Sequence, residues 1–101
     1  MPVGFYAIIE NAYRFNKKLS ISDHQDALSN LYAEFSKIAA NNRYAWSNTI
    51  YKSSDIKKAS FNNKYQAFPY NKYHCTSWNV NQASATIICD ESIANKLKIP
   101  R

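Results

Sequence analysis

Residues 72–90 read Lys-Tyr-His-Cys-Thr-Ser-Trp-Asn-Val-Asn-Gln-Ala-Ser-Ala-Thr-Ile-Ile-Cys-Asp. Lys72 to Val80 and Ser84 to Asp90 are rich in residues that favour strands, and the polar Asn81-Gln82-Ala83 separates them. Two such runs around a short polar break predict a β-hairpin. If the hairpin turns about Gln82, Cys75 faces Cys89, the only two cysteines of the chain. Facing Cα atoms in an antiparallel pair lie about 4.5–5.5 Å apart, within disulfide range. A Cys75–Cys89 bridge would close a loop of roughly 15 residues and contribute about 3 kcal/mol through chain entropy. A two-residue loop shifts the register by one and breaks the pairing. Ala83 also places a Cβ where a three-residue loop prefers glycine, so two free thiols are the competing expectation. No metal site is expected, because there is no CxxC and His74 points to the strand face opposite Cys75.

The flanking segments predict helices. Phe5, Ile8, Ile9, Ala12 and Phe15 recur at helical spacing, with a short strand over Val3–Ile9 as the alternative. Leu28, Leu31, Phe35 and Ile38 mark the strongest helix, capped by Ser22 or Asp23 and ended near Asn41 and Asn42. Tyr44 to Tyr51 alternates like a strand, Ser53 to Ser60 reads as a short helix, and Asn62 to Lys72 as a loop broken at Pro69. Asp90 caps a last helix through Ile93, Ala94 and Leu97. The whole is one α+β domain over residues 1–101: N-terminal helix or helices packed on a small antiparallel sheet that contains the 72–90 hairpin, with a short C-terminal helix.

Length and composition narrow the function. The 101 residues are 46% hydrophobic and contain one glycine, Gly4. Phosphate-cradling loops of the GxxxxGK[ST] and GxGxxG kinds need several glycines and are absent. With twelve asparagines in the sequence, turns and helix ends fall to Asn41, Asn42, Asn62, Asn63, Asn71 and Asn81. Thirteen basic against seven acidic residues give a net charge of +6. Residues 1–50 carry five basic and four acidic side chains, and residues 51–101 carry eight and three, so the positive field belongs to the second half. There is no apolar run long enough to span a bilayer and no signal-peptide pattern. A cytoplasmic protein fits this, as does a processed secreted or periplasmic one.

The basic half interleaves cations with rings. Lys52, Lys57, Lys58, Lys64 and Lys72 stand among Tyr65, Tyr70, Tyr73 and Trp78, the pattern by which single-stranded nucleic acid is held, with cations on phosphates and rings on bases. The ordinary alternative is aromatic core with lysines at its rim. The first reading is therefore a non-catalytic domain that binds a negatively charged partner through these residues, nucleic acid first and an acidic protein surface next. The second is a secreted or periplasmic, disulfide-stapled interaction or structural protein. A small ribonuclease-like toxin comes third, with His24 and His74 as the catalytic candidates because two imidazoles suffice for acid–base cleavage of RNA. No cofactor is implied. Ser92 to Ile99 resembles the first helix and turn of a helix-turn-helix, with no recognition helix after it in these 101 residues.

Overall fold

The structure is a computed structural model, and it describes residues 2–77, 79–81 and 83–99. Helix α1 spans Pro2–Asn16 and α2 Ile21–Ala40. A five-residue α3, Ser53–Lys57, precedes strands β1, Tyr65–Ala67, and β2, Tyr70–Asn71; a 3-10 turn over Lys72–His74 follows, and α4 is Glu91–Lys96. The strands pair antiparallel, with Tyr65 opposite Asn71, Ala67 opposite Tyr70 and a bulge between Tyr65 and Ala67. The fold class is α+β, as the sequence predicts.

Helix α2 begins one turn earlier than its apolar residues suggest. Ser20 is the N-cap and its hydroxyl accepts from the Asp23 N–H at 3.1 Å. Asp90 caps α4 as expected, accepting from Ser92 N–H at 2.8 Å. Asn41 ends α2, but with φ −90°, and the positive φ values among the described residues fall on Lys18 and Lys98 instead of on asparagine. Asparagine contributes through its amide rather than its backbone. Asn63 Nδ2 lies 2.9–3.0 Å from the carbonyls of Asp55, Ile56 and Lys58, and its Oδ1 accepts from Tyr73 N–H. Asn71 Nδ2 reaches the Ile56 and Lys57 carbonyls. Two buried amides thus satisfy the carbonyl end of α3, and Ile56, 1% exposed, is held between them and α2.

The apolar stripes face the other way from their sequence reading. In α1 the inward residues are Val3, Ala7, Glu10, Asn11 and Arg14, while Phe5 and Phe15 are 74% and 79% exposed and Ile8 and Ile9 are exposed with them. In α2 the buried face is His24, Ser29 and Ala33, with Leu28 half-buried and Leu31, Phe35 and Ile38 exposed. Polar groups with partners in one another occupy the space between the helices and the sheet. Asn11 Nδ2, for example, donates to Phe68 O at 2.9 Å and ties α1 to the turn between the strands, whose Phe68–Pro69 bond is cis.

Among the described residues the 72–90 hairpin is not formed; Gln82, its expected turning point, and Trp78 lie outside them. Its first strand is replaced at Lys72–His74 by the 3-10 turn, in which Asn71 and His74 cap one another, and residues 83–90 have no regular structure. A two-stranded hairpin without a face to pack on is marginal in water, and no glycine stands in its turn to offset that. Among the described residues the only strand pairing uses residues 65–71, inside the stretch that reads as loop. Tyr44 to Tyr51 likewise has no strand, since no partner strand lies beside it.

Candidate functional site

The polar interior between α1, α2 and β2 brings together residues far apart in sequence. The Tyr70 hydroxyl donates to Glu10 Oε2 at 2.7 Å. Glu10 Oε1 lies 2.9 Å from His24 Nε2, although the ring N–H is not directed along that line. On the other side of Tyr70, His74 Nδ1 accepts the Asn71 N–H at 3.0 Å, and His74 Nε2 is 3.4 Å from Ser29 Oγ. Tyr32 packs its ring edge-on against His74 with centroids 5.3 Å apart. Burial pushes the Tyr70 and Tyr32 phenols above their usual values, and the Glu10 carboxylate adds to the shift. Burial pushes His74 below the usual imidazole value.

These bonds decide what the pair of histidines can do. With a backbone N–H on Nδ1, the neutral His74 ring carries its proton on Nε2, so it donates toward Ser29 instead of drawing a proton from it. Ser29 is therefore not an activated nucleophile. Cys75, beside His74, is pushed above its usual value by burial, which disfavours the thiolate. His24 is buried under Glu10 and does not line the cavity that His74 reaches. The two candidate imidazoles are brought near one carboxylate, yet they do not face a common open space, and the geometry lends no support to acid–base cleavage. That cavity, about 370 Å³, lies between the start of α1 and the strands, walled by Tyr6, Tyr32, Gln66, Tyr70, His74 and Cys75. Cys75 is half-buried and Cys89 exposed, and both are free thiols; the expected bridge is absent because the hairpin that would align them is absent. Among the described residues no group of three or more His, Cys, Asp or Glu is placed to hold a metal ion, and no helix is long and apolar enough to cross a membrane.

The residues of the predicted binding surface separate. Lys57 is spent on an ion pair with Asp26 at 2.7 Å, joining α3 to α2. Tyr70 is interior and bonded to Glu10, so it offers no ring to a partner. Trp78 lies outside the described residues. Lys52, Lys64, Tyr65 and Lys72 are exposed, with the Lys64 ammonium 5.4 Å over the Phe61 ring. Lys58 and Tyr73 come together in an open recess of about 500 Å³ that also contains Tyr51, Ser54, Asp55, Ser60 and Asn62. Tyr51 and Tyr73 pack ring on ring there, with centroids 4.6 Å apart.

Sequence reasoning missed Glu10 and Ser29, and it placed Asn63 and Asn71 at turns and helix ends without their buried amide contacts to α3. A signal for Glu10 was present: Ala7, Glu10, Asn11 and Arg14 share one helical face as regularly as the apolar stripe does. Nothing local marks Ser29, whose burial depends on a histidine 45 residues away. No protein-family model, curated protein or solved structure matches this chain.

Proposed function

We propose that this chain is a non-catalytic interaction domain that binds a protein partner through its apolar surface. One observation carries the reading. The chain exposes 8574 Å², whereas a folded monomer of 11.6 kDa exposes about 5,800 Å². The excess, roughly 2,800 Å², is at or slightly above the about 1,000–2,500 Å² that one partner contributes to an obligate interface. Its radius of gyration, 16.4 Å, exceeds the about 13 Å of a compact domain of this length. Large apolar side chains make up much of that surface: Phe5, Ile8, Ile9 and Phe15 on α1, Trp46 and Ile50 in the linker, Ile87 and Ile88 before α4. On α1 the four share one helical face, and exposed apolar area of this kind marks association surfaces.

The test is retention of a partner from the cells that make the chain. The intact chain should hold one protein at near-equal stoichiometry, and Ile8→Lys with Ile9→Lys should lose it. A free chain that retains nothing, stays monomeric and fails to bind an apolar dye would overturn the reading.

The second reading, binding of a negatively charged partner with nucleic acid first, is favoured by the recess where Lys58 and Asn62 flank the Tyr51–Tyr73 pair. Rings, amide and ammonium are the groups that stack on bases and meet phosphates. Asp55 in the same recess opposes it. Binding of a mixed single-stranded pool that weakens with salt, and weakens further in Lys58→Ala, supports this reading; salt-independent binding removes it.

A further inference from the structure

We propose that residues 83–89 dock as a β-strand on the sheet edge of a partner protein, with α4 laid over the joint. The inference rests on the interaction reading above and names the kind of partner. Ala83-Ser84-Ala85-Thr86-Ile87-Ile88-Cys89 has strand-forming residues at its centre and no strand to join. Among the described residues, 83–89 make no hydrogen bond to any part of the chain, so their N–H and C=O groups stand open to pairing. Ile87 and Ile88 are 89% and 93% exposed, the two most exposed large apolar side chains described.

The order of residues says what the strand must join. Placed in a strand, Ala83, Ala85, Ile87 and Cys89 share one face and Ser84, Thr86 and Ile88 the other. The first face is wholly apolar and the second mixes two hydroxyls with an isoleucine, the alternation of a strand that lays one face on the core of an existing sheet. Solvent-exposed edges are normally guarded by charge, and there is no Lys, Arg, Asp or Glu between Lys72 and Asp90 in a chain otherwise rich in lysine. Directly after the segment, Asp90 caps α4, whose Ile93 and Leu97 are exposed and free to cover one face of the completed sheet.

A second copy of this chain is a poor receptor. Its own strands are three and two residues long, too short to accept the segment. Pairing the segment with itself gives a two-stranded ribbon with its apolar face in water, which is marginal. The receptor is therefore a protein that already has a sheet, and main-chain hydrogen bonding supplies the contact.

A photo-crosslinking amino acid placed at Ile87, and separately at Ile8, tests this with the full chain in the cells that make it. At position 87 the crosslink should fall on a sheet-edge strand of one protein. A synthetic peptide of residues 83–90 should compete for it. Two further peptides keep every side chain but carry N-methyl groups on the amides of Thr86 and Ile88, or of Ala85 and Ile87. At least one should compete about 30-fold more weakly, from the loss of two hydrogen bonds. Crosslinks from position 8 with none from 87, crosslinks from 87 to a helix or loop, or N-methylated peptides that both compete like the parent would overturn strand docking and leave the interaction reading standing. No crosslink from either position would overturn both.

Discussion

Tyr70 on β2 and Glu10 on α1, sixty residues apart in sequence, share a 2.7 Å hydrogen bond that fastens the first helix to the sheet. The bond is charge-assisted and largely shielded from water, which places it above the net worth of an ordinary hydrogen bond. Tyr70→Phe removes the donor and leaves the ring. Unfolding in urea should show a loss of about 1.5–3 kcal/mol. A midpoint unchanged from the parent would mean that α1 is not held to the sheet through this contact.

Asn63 is fully buried and ties α3 to the 3-10 turn through one side chain. Its amide contacts three carbonyls at the end of α3 and one N–H of the 3-10 turn. Asn63→Ala leaves the Asp55 and Lys58 carbonyls and the Tyr73 N–H without this partner, while Ile56 O keeps Asn71, and should cost about 2–4 kcal/mol, whereas the exposed neighbour Asn62→Ala should stay within about 0.5 kcal/mol. Equal effects at the two positions would refute the assignment of Asn63 as the hub.

His74 makes stability depend on pH in a defined direction. Burial lowers its folded pKa below the unfolded value near about 6.5, so between the two the unfolded chain binds the extra proton. Its contribution is complete above about pH 6.5 and is lost as pH falls from there through the folded pKa. The nearby Glu10 carboxylate limits the shift without reversing it. Stability at pH 7.5 should exceed that at pH 5.5, and His74→Phe should flatten the difference. An NMR titration of His74 with a midpoint above that of a free histidine would contradict the burial argument.

The Lys57–Asp26 pair, at 2.7 Å but with both side chains substantially exposed, is worth much less than its distance suggests. Asp26→Asn should change stability by under about 1 kcal/mol, and added salt should erase even that. The same substitution releases Lys57. If the basic half meets a polyanion, Asp26→Asn should strengthen binding while Lys58→Ala weakens it. A matching loss in both would place the anion elsewhere.

What the sequence made legible was local. Asp90 caps α4 because its side chain reaches the N–H two residues on, as the sequence predicts, whereas the cap of α2 is Ser20, upstream of the expected Ser22 or Asp23. The orientation of those helices was not legible. Phe5, Ile8, Ile9 and Phe15 form a regular stripe, and burial of such a stripe is the ordinary outcome. Here Glu10 and Asn11 are inside, because Tyr70 and Phe68 supply their partners from other segments, and Arg14 is half-buried with its guanidinium on Leu19 O in the turn to α2. Ser84 to Asp90 has the composition of a strand, yet it forms no half of a hairpin and no regular structure. Strand propensity records fitness for a sheet without saying which sheet. At the candidate site, the lysines and rings were visible one by one, but Tyr70 and Lys57 already have partners within the fold, and only Lys58, Tyr73 and the unforeseen Tyr51 converge.

The two thiols separate the structure from the hairpin reading most directly. Cys89 is exposed in a segment with no regular structure, while Cys75 is half-buried, bonded to Asn71 O at 3.5 Å and shifted upward by burial. Reaction with a thiol reagent near neutral pH proceeds through the thiolate, so exposure and pKa act in the same sense. The native chain should show two reactive thiols, Cys89 modified first and Cys75 more slowly, because burial limits access to Cys75 and also disfavours its thiolate. Denaturation should bring the two rates together. If the protein purified without reductant is two protons lighter and has no free thiol, Cys75 and Cys89 are joined, the 3-10 turn at Lys72–His74 has given way to a strand, and residues 83–89 pair within the chain instead of with a partner.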